Sequence, residues 1–255
     1  MDEDGGILGK LVETMKLAWM AVVLTTLAPL MPAQTKAAPK AAPKVAPKAA
    51  TKAAPKAAAK AKAKGPALDL LKPETLKLKP PAIFVVRLET TKGNIDIRVV
   101  RAWAPVGVER FYNLVQAGYY NNNYFFRVLG FMAQTGMNGD PKIAQTWTDR
   151  TIVDDRVVQS NVRGTVAMAA AGEPNTRSTQ FFINKLDENV RLDALKFAVL
   201  GEVVEGMAVV DQLYSGYGEP QIQGPLLDQG NVVIERYFPR MDKIVKASVI
   251  AVPQP

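Results

Sequence analysis

Prolines at positions 39, 43, 47 and 55, set among nine lysines with no acidic residue between Thr35 and Pro66, forbid a continuous helix there. The K-A-A-P repeat instead predicts a stiff, solvated spacer, kept extended by repulsion between its lysines. A packed domain must therefore come from the residues after it. The expected division is 1–34 as a signal peptide or membrane anchor, 35–82 as a disordered Lys/Ala/Pro-rich linker, and 83–255 as one domain. The spacer also carries the charge. The chain has a net charge of +8, and outside these nine lysines it holds 23 basic and 24 acidic residues. A weak, salt-sensitive contact with anionic polymers is thus expected of the linker alone, and it has no aromatic residue to stack on bases. The near-neutral remainder is expected to be monomeric.

Ahead of the linker, Leu17 to Ala33 is an uncharged and mostly apolar run of 17 residues behind Lys16. Secretory signals need about 7–15 apolar residues after a positive start, whereas a spanning helix needs roughly 20. Pro29 and Pro32 interrupt the last turns. An exported protein is expected, periplasmic or associated with the cell envelope, and membrane-anchored if the segment is kept.

From Ile83 the pattern changes to period two. Phe84, Val86 and Leu88 alternate with Val85, Arg87 and Glu89, and Ile95 to Val100 alternates again after Lys92-Gly93-Asn94, so a β-hairpin is predicted. A helix follows. Pro105 suits its first turn, Val108, Phe111, Tyr112 and Val115 give it an apolar face, and Gly118 ends it. Short strands are expected at 125–129, 131–134, 165–170, 180–184, 198–204 and 247–252, with a second helix over 207–214. Many short strands and few helices predict a mainly β fold, a closed or nearly closed barrel with helices over its ends.

The chain has no cysteine and no histidine. That removes thiol chemistry, Ser-His-Asp triads, Cys-His nucleophiles and the usual zinc sites, and leaves catalysis to arginine, lysine, carboxylates, amides or hydroxyls. No cofactor or metal is expected. Two stretches stand out, F-F-R-V-L-G-F-M-A-Q (125–134) and T-V-A-M-A-A-A-G-E-P-N-T-R-S-T-Q-F-F-I-N (165–184). In the first, strand alternation places Phe125, Arg127 and Leu129 on one face, a guanidinium among apolar groups. Taken alone, Arg127 reads as a rim cation paired with a carboxylate, and Phe131, Met132 and Phe182 read as core.

In their order these residues resemble the cyclophilin family of peptidyl-prolyl cis/trans isomerases. The family pattern F-x-R-V-x-x-G-F-M-x-Q is matched by Phe125, Arg127, Val128, Gly130, Phe131, Met132 and Gln134. Ala169, Ala171, Gly172, Pro174, Asn175, Thr176, Gln180, Phe181 and Phe182 match a second motif, followed by Leu192-Asp193 and Phe197 to Val204. The resemblance implies a closed eight-stranded antiparallel barrel capped by two helices. It implies proline-containing polypeptides as substrates, with assistance to the folding of exported proteins as the role. Arg127 would be catalytic. Phe131, Met132, Phe182 and Leu192 would wall the proline pocket, beside Phe197, where many members have histidine or tyrosine. Gln134 would hold a substrate carbonyl and orient Arg127, while Ala169, Ala170, Ala171 and Gln180 would line the adjoining groove. A non-catalytic peptide-binding chaperone or scaffold built on the same groove is the alternative.

The chemistry needs no covalent step. Rotation about a peptide bond is opposed by about 18–20 kcal/mol of amide resonance, and a proline nitrogen in the twisted state becomes basic enough to accept a hydrogen bond from arginine. Besides Phe197, the chain departs from the family pattern in four places. Phe131 follows Arg127 by four positions instead of five, Ala170 stands where the family often has asparagine, Glu173 is inserted within A-G-P-N-T, and the frequent aromatic residue before Leu192-Asp193 is replaced by Arg191 or Val190. The first departure bears directly on where the guanidinium sits relative to the pocket.

Overall fold

A computed structural model of the protein describes residues 68–251. The expected signal segment and the linker up to residue 67 lie outside the described residues. Within them, no helix is long and apolar enough to cross a membrane.

The first hairpin follows its alternation. β1 (Ile83–Thr90) pairs antiparallel with β2 (Gly93–Val100), and Phe84, Val86, Leu88, Ile95, Ile97 and Val99 are all fully buried. Burying each such side chain stabilises the fold by about 1.5–3 kcal/mol. α1 (Pro105–Gln116) begins at its proline and ends before Gly118, whose positive φ of 74° turns the chain away. Its Val108, Phe111, Leu114 and Val115 face the main hydrophobic core. Phe111 meets Phe181 edge to face at 5.3 Å, while Tyr112 packs on Phe84 at 5.0 Å.

The remaining elements are β3 (Asn123–Tyr124), β4 (Arg127–Val128), β5 (Met132–Thr135), α2 (Pro141–Thr148), β6 (Thr165–Met168), β7 (Phe181–Asn184), α3 (Arg191–Ala194), β8 (Val199–Glu205), α4 (Met207–Asp211), α5 (Gln223–Gln229), α6 (Asn231–Tyr237) and β9 (Lys243–Ala251). They form one curled antiparallel sheet of nine strands in the order β3-β9-β1-β2-β8-β6-β7-β5-β4. The eight-stranded count is thereby corrected. Of the strand expected over 125–129 only Arg127–Val128 forms, because Phe125 enters the main core and Phe126 a second cluster, and these two residues stand between the two-residue strands β3 and β4. Those two strands are the ends of the sheet, and no ladder joins them among the described residues. At β8, Gly201 permits close approach to β2, since a Cβ there would stand 2.5 Å from the Arg98 carbonyl oxygen.

Two further expectations are corrected. Six helices are present among the described residues where two were expected. α2 starts at Asp140, whose carboxylate accepts from the Lys142 N–H at 2.9 Å, and α5 and α6 enclose the second cluster with Ile222, Leu226, Val233 and Ile234. The linker, moreover, does not extend to residue 82. Leu70 and Leu76 pack against the main hydrophobic core, and Trp147 Nε1 donates to the Leu70 carbonyl at 2.8 Å. Asn113 serves both backbone groups of Leu78, accepting its N–H and donating to its carbonyl, each at 2.8 Å. Pro73 opens a single 3-10 turn (Pro73–Thr75), and Pro80 and Pro81 bar a helix after it, so the strap finds further backbone partners in side chains of α1 and α2.

Candidate functional site

Strand pairing sets the site in a row. Arg127 on β4 opposes Gln134 on β5, Gln134 opposes Phe182 on β7, and Phe182 opposes Ala167 on β6. Because side chains alternate across a sheet, the neighbours Val128, Ala133, Phe181, Ile183 and Val166 enter the main core, while Arg127, Gln134 and Phe182 face a cleft and Ala167 packs beneath Phe182's side of it. The cleft has a volume of about 340 Å³.

Ten of the eleven residues expected to act in the site line this cleft: Arg127, Phe131, Met132, Gln134, Ala169, Ala170, Ala171, Phe182, Leu192 and Phe197. Gln180 faces an adjoining cavity of about 230 Å³, which it shares with the three alanines. The expected sharing of one face by Phe125, Arg127 and Leu129 does not occur. Phe125 is 1% exposed in the main core, because the chain leaves strand geometry at Phe125-Phe126.

The apolar wall is framed by buried polar groups. Phe182 and Phe197 meet edge to face at 5.4 Å. Asn184 donates to Asn161 Oδ1 at 3.1 Å and to Thr165 Oγ1 at 2.8 Å, and accepts from Asn189 at 2.6 Å. Asn189 also donates to the Phe131 carbonyl at 2.8 Å, and Asn161 donates to the Phe197 carbonyl at 2.8 Å. Two wall residues are therefore fixed by their backbones. Asp193 accepts from both the backbone and the side chain of Asn161, at 2.8 and 2.7 Å, beside Leu192. Burial pushes the Asp193 carboxyl upward, but these hydrogen bonds outweigh it and hold the group below its ordinary value.

Behind Phe197 stands Arg177, only 5% exposed. Its guanidinium lies 5.5 Å from the Phe197 ring centroid, pairs with Asp154 and donates to the Lys196 carbonyl. Nothing in the sequence marks this arginine apart from its place inside the second motif, between Thr176 and Gln180. Arg191, next to Leu192, places its own guanidinium 5.5 Å from the Phe131 ring.

The polar side of the cleft is a chain of donors and acceptors. Arg127 Nη1 donates to Gln134 Oε1 at 3.3 Å, and Gln134 Nε2 donates to Gln180 Oε1 at 2.7 Å. Arg127 also has a carboxylate partner, Glu219, whose Oε1 lies 2.8 Å from its Nε. That oxygen is off the N–H direction, so the contact is a charge pair without an aligned hydrogen bond. Both readings of Arg127 thus meet in one geometry, a carboxylate-paired cation that faces an apolar cleft. Among the described residues no group of three or more acidic side chains is arranged to hold a metal ion.

A profile of the family described as cyclophilin type peptidyl-prolyl cis-trans isomerase/CLD matches residues 85–235. The peptidyl-prolyl cis-trans isomerase A of Dickeya dadantii is 39% identical over 134 residues, which is 50% of this chain and 70% of that protein. The peptidyl-prolyl cis-trans isomerase B of Escherichia coli is 36% identical over 137 residues, 51% of this chain and 83% of that protein. A cyclophilin-type isomerase structure from Cryptosporidium parvum superposes with a TM-score of 0.50 at 22% identity, covering 67% of this chain and 99% of that one. At that identity the likeness concerns the fold.

Proposed function

This chain belongs to the cyclophilin-type peptidyl-prolyl cis-trans isomerase family, and from that premise we propose that it catalyses cis/trans rotation about X-Pro bonds at the cleft beside Arg127. The observation that carries this is the row Arg127, Gln134 and Phe182, which sets one guanidinium against an apolar cleft. A proline ring offers no polar handle, and Phe131, Met132, Phe182 and Leu192 give it a wall of matching character. With the ring held there, Gln134 takes a substrate carbonyl, and the arginine donates to the ring nitrogen as it loses conjugation.

That donation favours the twisted state over either planar isomer, which is the requirement for acceleration. Raising a rate of about 0.01 per second to roughly 1,000 per second needs about 7 kcal/mol. A charged hydrogen bond against an apolar wall, together with fixed orientation of the peptide, is of that order. The adjoining cavity beside Ala169, Ala170, Ala171 and Gln180 takes the residues before the proline, with small side chains leaving room for them.

We also read the curled sheet as a barrel whose seam is Phe125-Phe126, because only these two residues separate its end strands. The apolar run at 17–33 supports an exported location. The lysine segment supports salt-sensitive contact with anionic polymers, and the near-neutral remainder supports a monomer.

A protease-coupled isomerisation assay on the full chain tests the catalytic reading. Acceleration by the wild type that falls at least 100-fold in Arg127→Ala is expected. Equal rates in the two proteins would reject it.

A further inference from the structure

β4 is two residues long and is the last strand of the sheet, so Arg127 has a paired strand on one side only, β5. The turn that follows is short. Leu129 donates its N–H to the Met132 carbonyl at 2.8 Å, closing the hairpin within the four-residue spacing from Arg127 to Phe131. An arginine on a two-residue edge strand has little backbone to fix it, and its open flank is where the segment at 217–223 arrives.

That segment is anchored at both ends. Tyr217 stacks edge to face on Phe238 at 5.1 Å and on Tyr214 at 4.9 Å, and Ile222 is 1% exposed in the cluster under α5 and α6. Between these anchors, Gly218 takes a positive φ of 61°, and Glu219 meets Arg127 Nε. Four residues on, Gln223 Oε1 accepts from Gln180 Nε2 at 3.2 Å. The polar chain Glu219, Arg127, Gln134, Gln180, Gln223 thus starts and ends in one segment, and each amide donates in the same direction along it. Arg127 is 16% exposed and Glu219 34%, so water only partly screens the pair.

We infer that Glu219 is a positioning residue for Arg127, and that the 219–223 segment supplies the support that a short edge strand withholds. Glu219 acts through the arginine, holding its guanidinium toward the cleft before substrate binds. This inference rests on the isomerase reading above. Removing the charge loosens the arginine in the twisted state more than it weakens peptide binding, because the apolar wall does not involve Glu219.

The test measures kcat and KM of the full chain on an X-Pro peptide, with Glu219→Gln, Glu219→Asp, Arg127→Ala and the Arg127→Ala/Glu219→Gln double variant. Thermal unfolding checks each fold. Glu219→Gln is expected to lower kcat about tenfold with KM within about twofold, and Glu219→Asp, which keeps the charge, to recover most of the loss. In the Arg127→Ala background the Glu219→Gln change is expected to have no further effect, the sign of two groups acting as one unit. Unchanged or raised kcat in Glu219→Gln would overturn the inference, as would a full additional loss in the double variant. Should Glu219→Gln fail to fold, the kcat of Glu219→Asp and its coupling to Arg127→Ala decide the matter by the same criteria. An inactive wild type would instead defeat the isomerase reading itself.

Discussion

The two sides of the cleft are built differently. The apolar wall is an extension of the folded body, with Met132, Phe182 and Leu192 at most 6% exposed and the Phe131 and Phe197 carbonyls held by buried asparagines. The arginine side rests on a two-residue edge strand, one hydrogen bond of 3.3 Å to Gln134 and a charge contact from a segment about ninety residues further along the chain. The wall therefore takes its shape from the same packing that stabilises the fold. The guanidinium is set separately, so altering it is expected to leave the wall undisturbed.

The largest expected effect that sharpens this contrast is on the wall. Phe182→Ala should cost about 3–5 kcal/mol in urea denaturation and also raise KM, because one side chain serves both packing and recognition. Wild-type stability in that variant would break the comparison. Next, Asn184→Ala should cost about 2–3 kcal/mol, since it strands the Asn189 donor, the Asn161 acceptor and the Thr165 hydroxyl in a buried site. A loss of catalytic rate with no loss of stability would show that the asparagines serve the chemistry and not the frame.

The smallest effect is a pH dependence. The folded-state value of Asp193 is depressed, so its contribution is complete above the ordinary value of 3.8 and is lost as pH falls through the lower folded-state value. Urea midpoints measured from pH 6 down to pH 2 should therefore fall more steeply for the wild type than for Asp193→Asn. Parallel curves would remove Asp193 from the frame of the wall.

What could be foreseen from sequence follows the same division. β1, β2 and α1 were legible because alternation, Pro105 and Gly118 are local signals, and the motif residues of the wall come to the cleft by the alternation of β5 and β7. α2 was missed although Asp140-Pro141 is a usable start signal. α5 and α6 were missed because Gly224 and Gly230 interrupt their apolar pattern. The strap at 68–82 was read as linker because its partners, Asn113 and Trp147, lie on other elements. Glu219 and Arg177 could not be found by spacing. Each acquires its role from a tertiary path that brings distant segments together, and neither lies within a periodic pattern.

The central claim is that Arg127, facing this cleft, lowers the barrier to X-Pro rotation while the wall binds the ring. Exchange NMR on a short X-Pro peptide tests it most directly, using the full chain and its Arg127→Ala variant, with peptide binding followed in the same titrations. The expected result is accelerated cis/trans exchange with the wild type, and binding of similar strength with acceleration lost in the variant. Acceleration that survives the loss of the guanidinium would contradict the account.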